Sequence, residues 1–265
     1  MLTLTVPIAS LRPWRAEVLR RERRLTIYAA VLFALLLPLA VAWGLDDRTL
    51  RGVSVWIKPM KFALSIGVLA LTTAWFVGHL PPQRRGGRPV DWIVWLLMGS
   101  GTFELAYITL QASLGEASHY NVGDAWHMAM YNLMGLGALM LTATQPMLAW
   151  QLFRHPDPHR PQVYRRAILI GLTLTFVFGA GIGGLLANLQ PPGAGAATLP
   201  LFGWSLGGGD LRPAHFVGIH AEQLLPIFGY GAARLGTRQA RMLLWASTLL
   251  YALLFAALVV RGLTP

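Results

Sequence analysis

The sequence predicts an all-α, polytopic membrane protein: a bundle of seven transmembrane helices, N-terminus cytoplasmic and C-terminus extracytoplasmic. Three observations carry this. The 265 residues are 55% hydrophobic and 12% charged, with a mean hydropathy of +0.51, whereas a soluble domain carries about 25% charged residues. The apolar residues fall in runs close to the ~20 needed to cross ~30 Å of hydrocarbon. The arginines gather at alternate ends of those runs. Together these exclude a soluble enzyme, a disordered chain and a disulfide-stapled secreted domain. With no cysteine in the chain, cysteine-ligated zinc, iron–sulfur clusters and thiol catalysis are excluded as well.

The predicted spans are 27–45, 59–80, 90–113, 124–153, 167–189, 211–233 and 242–260, separated by Pro81-Pro82, Pro156 with Pro158, and Pro191-Pro192. Together they form a transmembrane domain over 27–260, preceded by a basic segment, 1–26. Of 20 arginines, 16 fall on one side: Arg12, Arg15, Arg20, Arg21, Arg23 and Arg24; Arg84, Arg85 and Arg88; Arg154, Arg160, Arg165 and Arg166; Arg234, Arg238 and Arg241. The other side holds Arg48, Arg51, Arg212 and Arg261. The positive-inside bias makes the rich side cytoplasmic, in a bacterial inner membrane. The net charge of +11 is then a topology signal, and the partner it implies is the lipid bilayer, not nucleic acid.

In residues 11–25, Leu11, Trp14, Val18, Leu19 and Leu25 share one helical face with arginines opposite, and Ser10 is placed to cap it. This predicts an amphipathic helix lying on the cytoplasmic leaflet. Ala40-Val41-Ala42 resembles a signal-peptidase site, but the long basic lead-in predicts a retained span.

Ionisable groups inside a span are costly and mark functional sites. On the arginine-poor half these are Glu104, with Gln111 on the same helical stripe, His127 at the top of the fourth span beside Asp124, and His215, His220, Glu222 and Gln223 on the sixth. Glu104 and His220 are each expected about 13 Å below the outer surface. The loop between the third and fourth spans adds Glu116, His119 and Asn121. The only two lysines, Lys58 and Lys61, open the second span. A compact ammonium at these two positions, in a chain that otherwise uses arginine, predicts anion holding, Lys58 either doing so or snorkelling to the headgroups, Lys61 facing the polar cluster. Arg212 joins them. Asp210 is expected to cap the sixth span after a glycine hinge, and the loop containing Leu199–Trp204 reads equally as an interfacial lid or a plain connection. Gly179 and Gly183 form a close-packing GxxxG.

Several chemistries fit such a bowl. Imidazoles from separate helices, His127 with His215 or His220, suit haem b; with Glu104 they suit a transition metal such as zinc, iron or copper. On that reading Glu104, Gln223 and Lys61 are acid–base or catalytic groups in redox or hydrolytic chemistry. His127, Met128, Met130 and Met134 offer a softer copper set, as in a copper-handling or assembly protein. Hydrolysis or transfer on a lipid-linked substrate resembles seven-span lipid hydrolases in architecture alone, their motifs being absent. A proton-coupled small-molecule transporter is the competing class, with Glu104 as proton relay; against it, the cytoplasmic half reads as almost purely apolar and no internal repeat is evident. The seventh span has no lysine for a retinal Schiff base.

Three segments together carry a resemblance: Trp56–Phe62 (WIKPMKF), Glu104 to Asn121 ending in SHYN, and Gly209–Gln223 (GDLRPAHFVGIHAEQ). They resemble a family of uncharacterised bacterial seven-span membrane proteins over about 55–230. The resemblance implies that the segments belong together and implies no activity. Glu222 departs from it, an apolar residue being usual there.

Overall fold

In the computed structural model, residues 8–189, 191–192, 198–199, 202–205 and 207–264 are described, apart from the side chains of 8–13 and 15. The expected roles of the Ser10, Leu11, Arg12 and Arg15 side chains, and the loop residues Pro200 and Leu201, lie outside the described residues. Among those described, helices α1 (Ile8–Arg21), α2 (Arg23–Leu45), α3 (Ile57–Val77), α4 (Pro82–Arg85), α5 (Arg88–Leu114), α6 (Ala125–Arg154), α7 (Gln162–Asn188), α8 (Arg212–Ile219), α9 (Ala221–Ala232) and α10 (Thr237–Leu263) follow in order. Two short hairpins interrupt them, β1 (Thr49–Leu50) with β2 (Val53–Ser54), and β3 (Thr198–Leu199) with β4 (Trp204–Ser205).

Six helices (α2, α3, α5, α6, α7 and α10) are long and apolar enough to cross a membrane. Their outward faces stay apolar: Leu37, Trp92, Trp126, Trp245 and Leu250 are among the most exposed large side chains. Such surface needs hydrocarbon as its solvent, so the chain is a multi-pass membrane protein. The largest apolar core joins Leu25, Val77, Ile93, Leu97, Leu148 and Leu172.

Helix starts follow local chemistry. Glu22 caps α2, accepting from the Arg24 amide at 2.9 Å, while the Arg24 guanidinium reaches Asp91 of α5 at 2.7 Å. Asp124 caps α6, accepting from the His127 amide at 2.9 Å. The chain turns from β1 to β2 through Arg51 (φ 53°) and Gly52 (φ 77°), the paired positive dihedrals of a tight hairpin. The N-terminal segment is helical: α1 begins at Ile8 and packs on α2 and α3, and Arg21 is buried with its guanidinium 3.7 Å from the Trp75 ring.

The predicted sixth span is two helices. α8 ends at Ile219 and α9 starts at Ala221, with His220 between them at φ −106°, ψ 9°. The Glu222 amide, which would continue the ladder, donates instead to Thr175 Oγ1 of α7 at 3.0 Å. A neighbouring hydroxyl inserted into the i→i−4 ladder is a known cause of a break. Pro226, having no N–H, leaves the Glu222 carbonyl free as well. Helix α7 receives this broken pair on small residues spaced by four: a Cβ at Gly171 would lie 2.9 Å from the Ala221 carbonyl oxygen, and one at Gly179 would lie 2.9 Å from Ile219. The GxxxG is therefore helix packing.

Candidate functional site

Two polar groups occupy the arginine-poor half and a third lies near the middle of the bundle, and α3 touches each of them. In the first, the Lys58 amine donates to Ser118 Oγ at 2.7 Å and lies 3.0 Å from His119 Nδ1. Lys58 therefore does not snorkel. Burial and the Lys58 charge push His119 down to about 3, so the imidazole is neutral and Nδ1 is its acceptor nitrogen. Next to Lys58 in the field of charges is Glu104, 1% exposed, neither of whose oxygens has a hydrogen-bond partner in the protein. Gly137 makes the room: a Cβ there would stand 2.8 Å from Glu104 Oε1. Tyr107 and Gln111 are buried on the same stripe of α5 as Glu104, as their spacing predicts.

The second group is the outer rim. His127 is held between two carboxylates, Nδ1 2.5 Å from Asp124 Oδ2 and Nε2 3.0 Å from Glu116 Oε2. Donation from the His127 amide and ring holds Asp124 below the usual carboxylate range. Gln111 donates to Glu116 at 3.4 Å and to the Ala117 carbonyl at 3.3 Å. Asn121 is half-buried in the same loop and makes no side-chain hydrogen bond among the described residues. Beside it Tyr120 takes φ 60°, costly for a bulky residue, and its hydroxyl donates to the Leu186 carbonyl at the end of α7.

On the same rim Asp210 and Arg212 lock the β3–β4 hairpin. Asp210 accepts from the Ser205 and Arg212 amides at 2.9 and 3.0 Å, and Arg212 reaches the Gly203 carbonyl at 2.7 Å. Burial alone would raise Asp210, but these donors hold it below its ordinary value. Leu211, one residue later than expected, is the N-cap of α8, and Asp210 secures the turn before it. Lys61 donates to the Phe202 carbonyl at 3.3 Å, and a Cβ on Gly203 would strike Val53 of the first hairpin at 2.5 Å. Between the readings of lid and plain connection, the hairpin is a pinned cap. Lys61 faces this cap rather than Glu104, so the two lysines have separate tasks.

The third group surrounds the break at His220. His220 Nδ1 lies 3.1 Å from Gln223 Oε1, and Gln223 Nε2 donates to Thr72 Oγ1 of α3 at 3.2 Å and to Glu222 Oε1 at 3.0 Å. Because an amide oxygen only accepts, Nδ1 carries the proton and Nε2 presents a lone pair. That Nε2 has no partner in the protein. His215 donates its other nitrogen to the Gly179 carbonyl, so its unpartnered Nδ1 is also an acceptor. Glu222, fully buried, adds the unpartnered Oε2. Glu222 is thus central here. Thr72 lies about 21 Å along α3 from Lys58, so α3 meets the first and third groups at well-separated levels.

The three histidines expected as ligands do not meet. His127 is committed to Asp124 and Glu116 at the rim, while His215 and His220 flank the break. Among the described residues no group of three or more His, Asp or Glu side chains is placed to hold a metal ion. His127, His215, His220 and Glu104 therefore do not form one ligand set for a zinc, iron or copper ion. The softer copper set is dispersed too: Met128 is half exposed, whereas Met130 and Met134 pack against Tyr107 and Ile108.

Sequence reasoning missed Thr72, Thr175 and Gly137. Thr175 had a signal, since it falls on the four-residue stripe Gly171, Gly179, Gly183 of α7. The arginine-rich half is also less apolar than it reads: Thr73, Thr144, Gln145 and His79 are buried there, and Thr73 Oγ1, Gln145 Oε1 and His79 Nε2 lack partners in the protein. The three segments of the family resemblance do come together, Trp56–Phe62 meeting the SHYN loop through Lys58 and the Asp210–Arg212 cap through Lys61. No known family model, curated protein or solved structure matches the chain, in keeping with an uncharacterised family.

Proposed function

We propose that this chain is a seven-span inner-membrane transporter, α8–α9 forming one broken span, which takes up a hydrogen-bond-donating solute at the break in exchange for protons. The observation that carries the reading is the interruption at His220 inside the bundle. Broken helices near the middle of a membrane are where transporters bind their cargo, because freed backbone and side-chain groups there can serve a ligand. The unmet need at this break is one-sided: His215 Nδ1, His220 Nε2 and Glu222 Oε2 are all acceptors without donors. A proton or an amine supplies what they lack; an anion does not. Glu104 beside Lys58 is the second proton-exchanging carboxyl, nearer the outer rim. The buried polar groups Thr73, Thr144 and Gln145 in the other half answer the objection that a through-path would end in apolar packing.

The arginine distribution supports a cytoplasmic N-terminus and an extracytoplasmic C-terminus, with the hairpin cap on the extracytoplasmic side. A thermal-shift screen of purified protein against amines, polyols, sugars and organic anions tests the ligand class. An amine is expected to stabilise the protein, and His220→Ala to abolish that stabilisation. Stabilisation by organic anions alone would contradict the reading.

A further inference from the structure

The opposite, arginine-rich face has a site of its own. A cleft of about 320 Å³ opens between the end of α6, the loop after it and the first turns of α7, with Arg160, Arg165, Arg166, Asp157 and His79 in its lining. Three guanidinium groups there face a single carboxylate. Asp157 meets Arg160 only at 3.5 Å, and Arg165 spends one donor on the Asp157 carbonyl at 3.1 Å. Arg166 makes no hydrogen bond or ion pair among the described residues. Arg160 is also close enough to repel both Arg21 and His79. So many cations within one Debye length are mutually unfavourable unless an anion joins them.

His79 forms the inner wall of the cleft. Its ring is 4% exposed, wedged by Trp75, Phe76 and Tyr164. Nδ1 lies 3.2 Å from Arg21 Nη1 and 3.0 Å from the Trp75 carbonyl, which also accepts from Arg21 at 2.8 Å, its two lone pairs serving both. The wall thus holds a fourth guanidinium behind it and adds to the positive field of the cleft.

We propose that this cleft binds the phosphate of an anionic phospholipid, its oxygens taken by Arg160 and Arg166. The rest of the lining decides for a lipid over free phosphate. Leu152, Phe153, Ile168 and Leu169 continue the cleft as apolar surface, and Phe153 is 62% exposed, so an acyl chain can lie along α6 and α7 below the headgroup. Basic pockets between transmembrane helices bind headgroups in this manner.

Native mass spectrometry of the full chain in mild detergent tests this, with phosphatidylglycerol, cardiolipin and phosphatidylcholine as probes and inorganic phosphate in a parallel titration. Anionic lipid is expected to be retained and phosphatidylcholine lost. Each arginine beside an anionic headgroup is worth about fivefold in binding, so Arg160→Gln with Arg166→Gln, both exposed and free of structural contacts that folding requires, is expected to weaken retention about thirtyfold. Equal retention of phosphatidylglycerol by the wild type and the double variant overturns the proposal. So does inorganic phosphate competing at concentrations comparable to the lipid, which would make the site one for free phosphate.

Discussion

At the scale of single residues, the two lysines separate what the sequence grouped. Lys58 is a buried ammonium serving Ser118, His119 and the field of Glu104, whereas Lys61 makes one hydrogen bond to the Phe202 carbonyl. Removing a buried charge from its partners costs about 3 kcal/mol or more, and losing one hydrogen bond about 1 kcal/mol. Lys58→Met is therefore expected to lower thermal stability in detergent far more than Lys61→Met, and equal losses would contradict this division. His79 makes a pH prediction. Burial and the Arg21 charge push it down from 6.5 to about 4. Between those values the unfolded chain binds a proton that the folded chain refuses, so His79 adds stability above about pH 6.5 that is lost as the pH falls toward 4. The melting temperature is expected to drop between pH 7 and pH 5, and to drop less in His79→Gln. A His79→Gln protein with an unchanged pH slope would remove His79 from the account.

At the scale of elements, the decisive contact is the small-residue stripe of α7 against α8–α9. Gly179→Val would force a side chain into Ile219 and is expected to cost about 1–3 kcal/mol as overpacking. Gly184 has open space around it, so Gly184→Val should leave the melting temperature unchanged; a loss as large as that of Gly179→Val would refute the packing register. Helix positions were readable from hydropathy because each span is a continuous apolar run with its own start signal, such as Asp124 before α6. The stripe was half readable, through Gly179 and Gly183. The break was not, because its cause is not local: Thr175, distant in sequence, takes the Glu222 amide, and only folding brings them together. Pro226 falls inside α9, beyond the break, and does not place it at His220. The same limit applies to the metal reading. Histidines in the same half of separate helices looked convergent, yet helix counting fixes neither tilt nor which side chain a neighbour has already engaged. His127 illustrates it, claimed by Asp124 three residues away and by Glu116 across the loop.

At the scale of the whole molecule, the two faces are chemically opposite. The arginine-rich face carries guanidinium groups that outnumber their carboxylate partners, Arg166 among them, and suits phosphates. The interior beneath the hairpin cap carries unsatisfied acceptors and suits protons and amines. The account requires these faces to lie on opposite sides of the bilayer, with an odd number of crossings. Alkaline phosphatase fused after Pro265 is expected to be active, and the same enzyme fused after Arg85 to be inactive; the reverse pattern, or activity at both, would contradict seven spans with a cytoplasmic N-terminus. The most direct test of the central claim is proton flux in proteoliposomes carrying an internal pH-sensitive dye, with an amine gradient imposed. The account predicts flux above protein-free vesicles that is lost in Glu104→Gln and in Glu222→Gln and kept in Gly184→Val. Wild-type vesicles no different from empty ones, or flux that survives both glutamate substitutions, would contradict it.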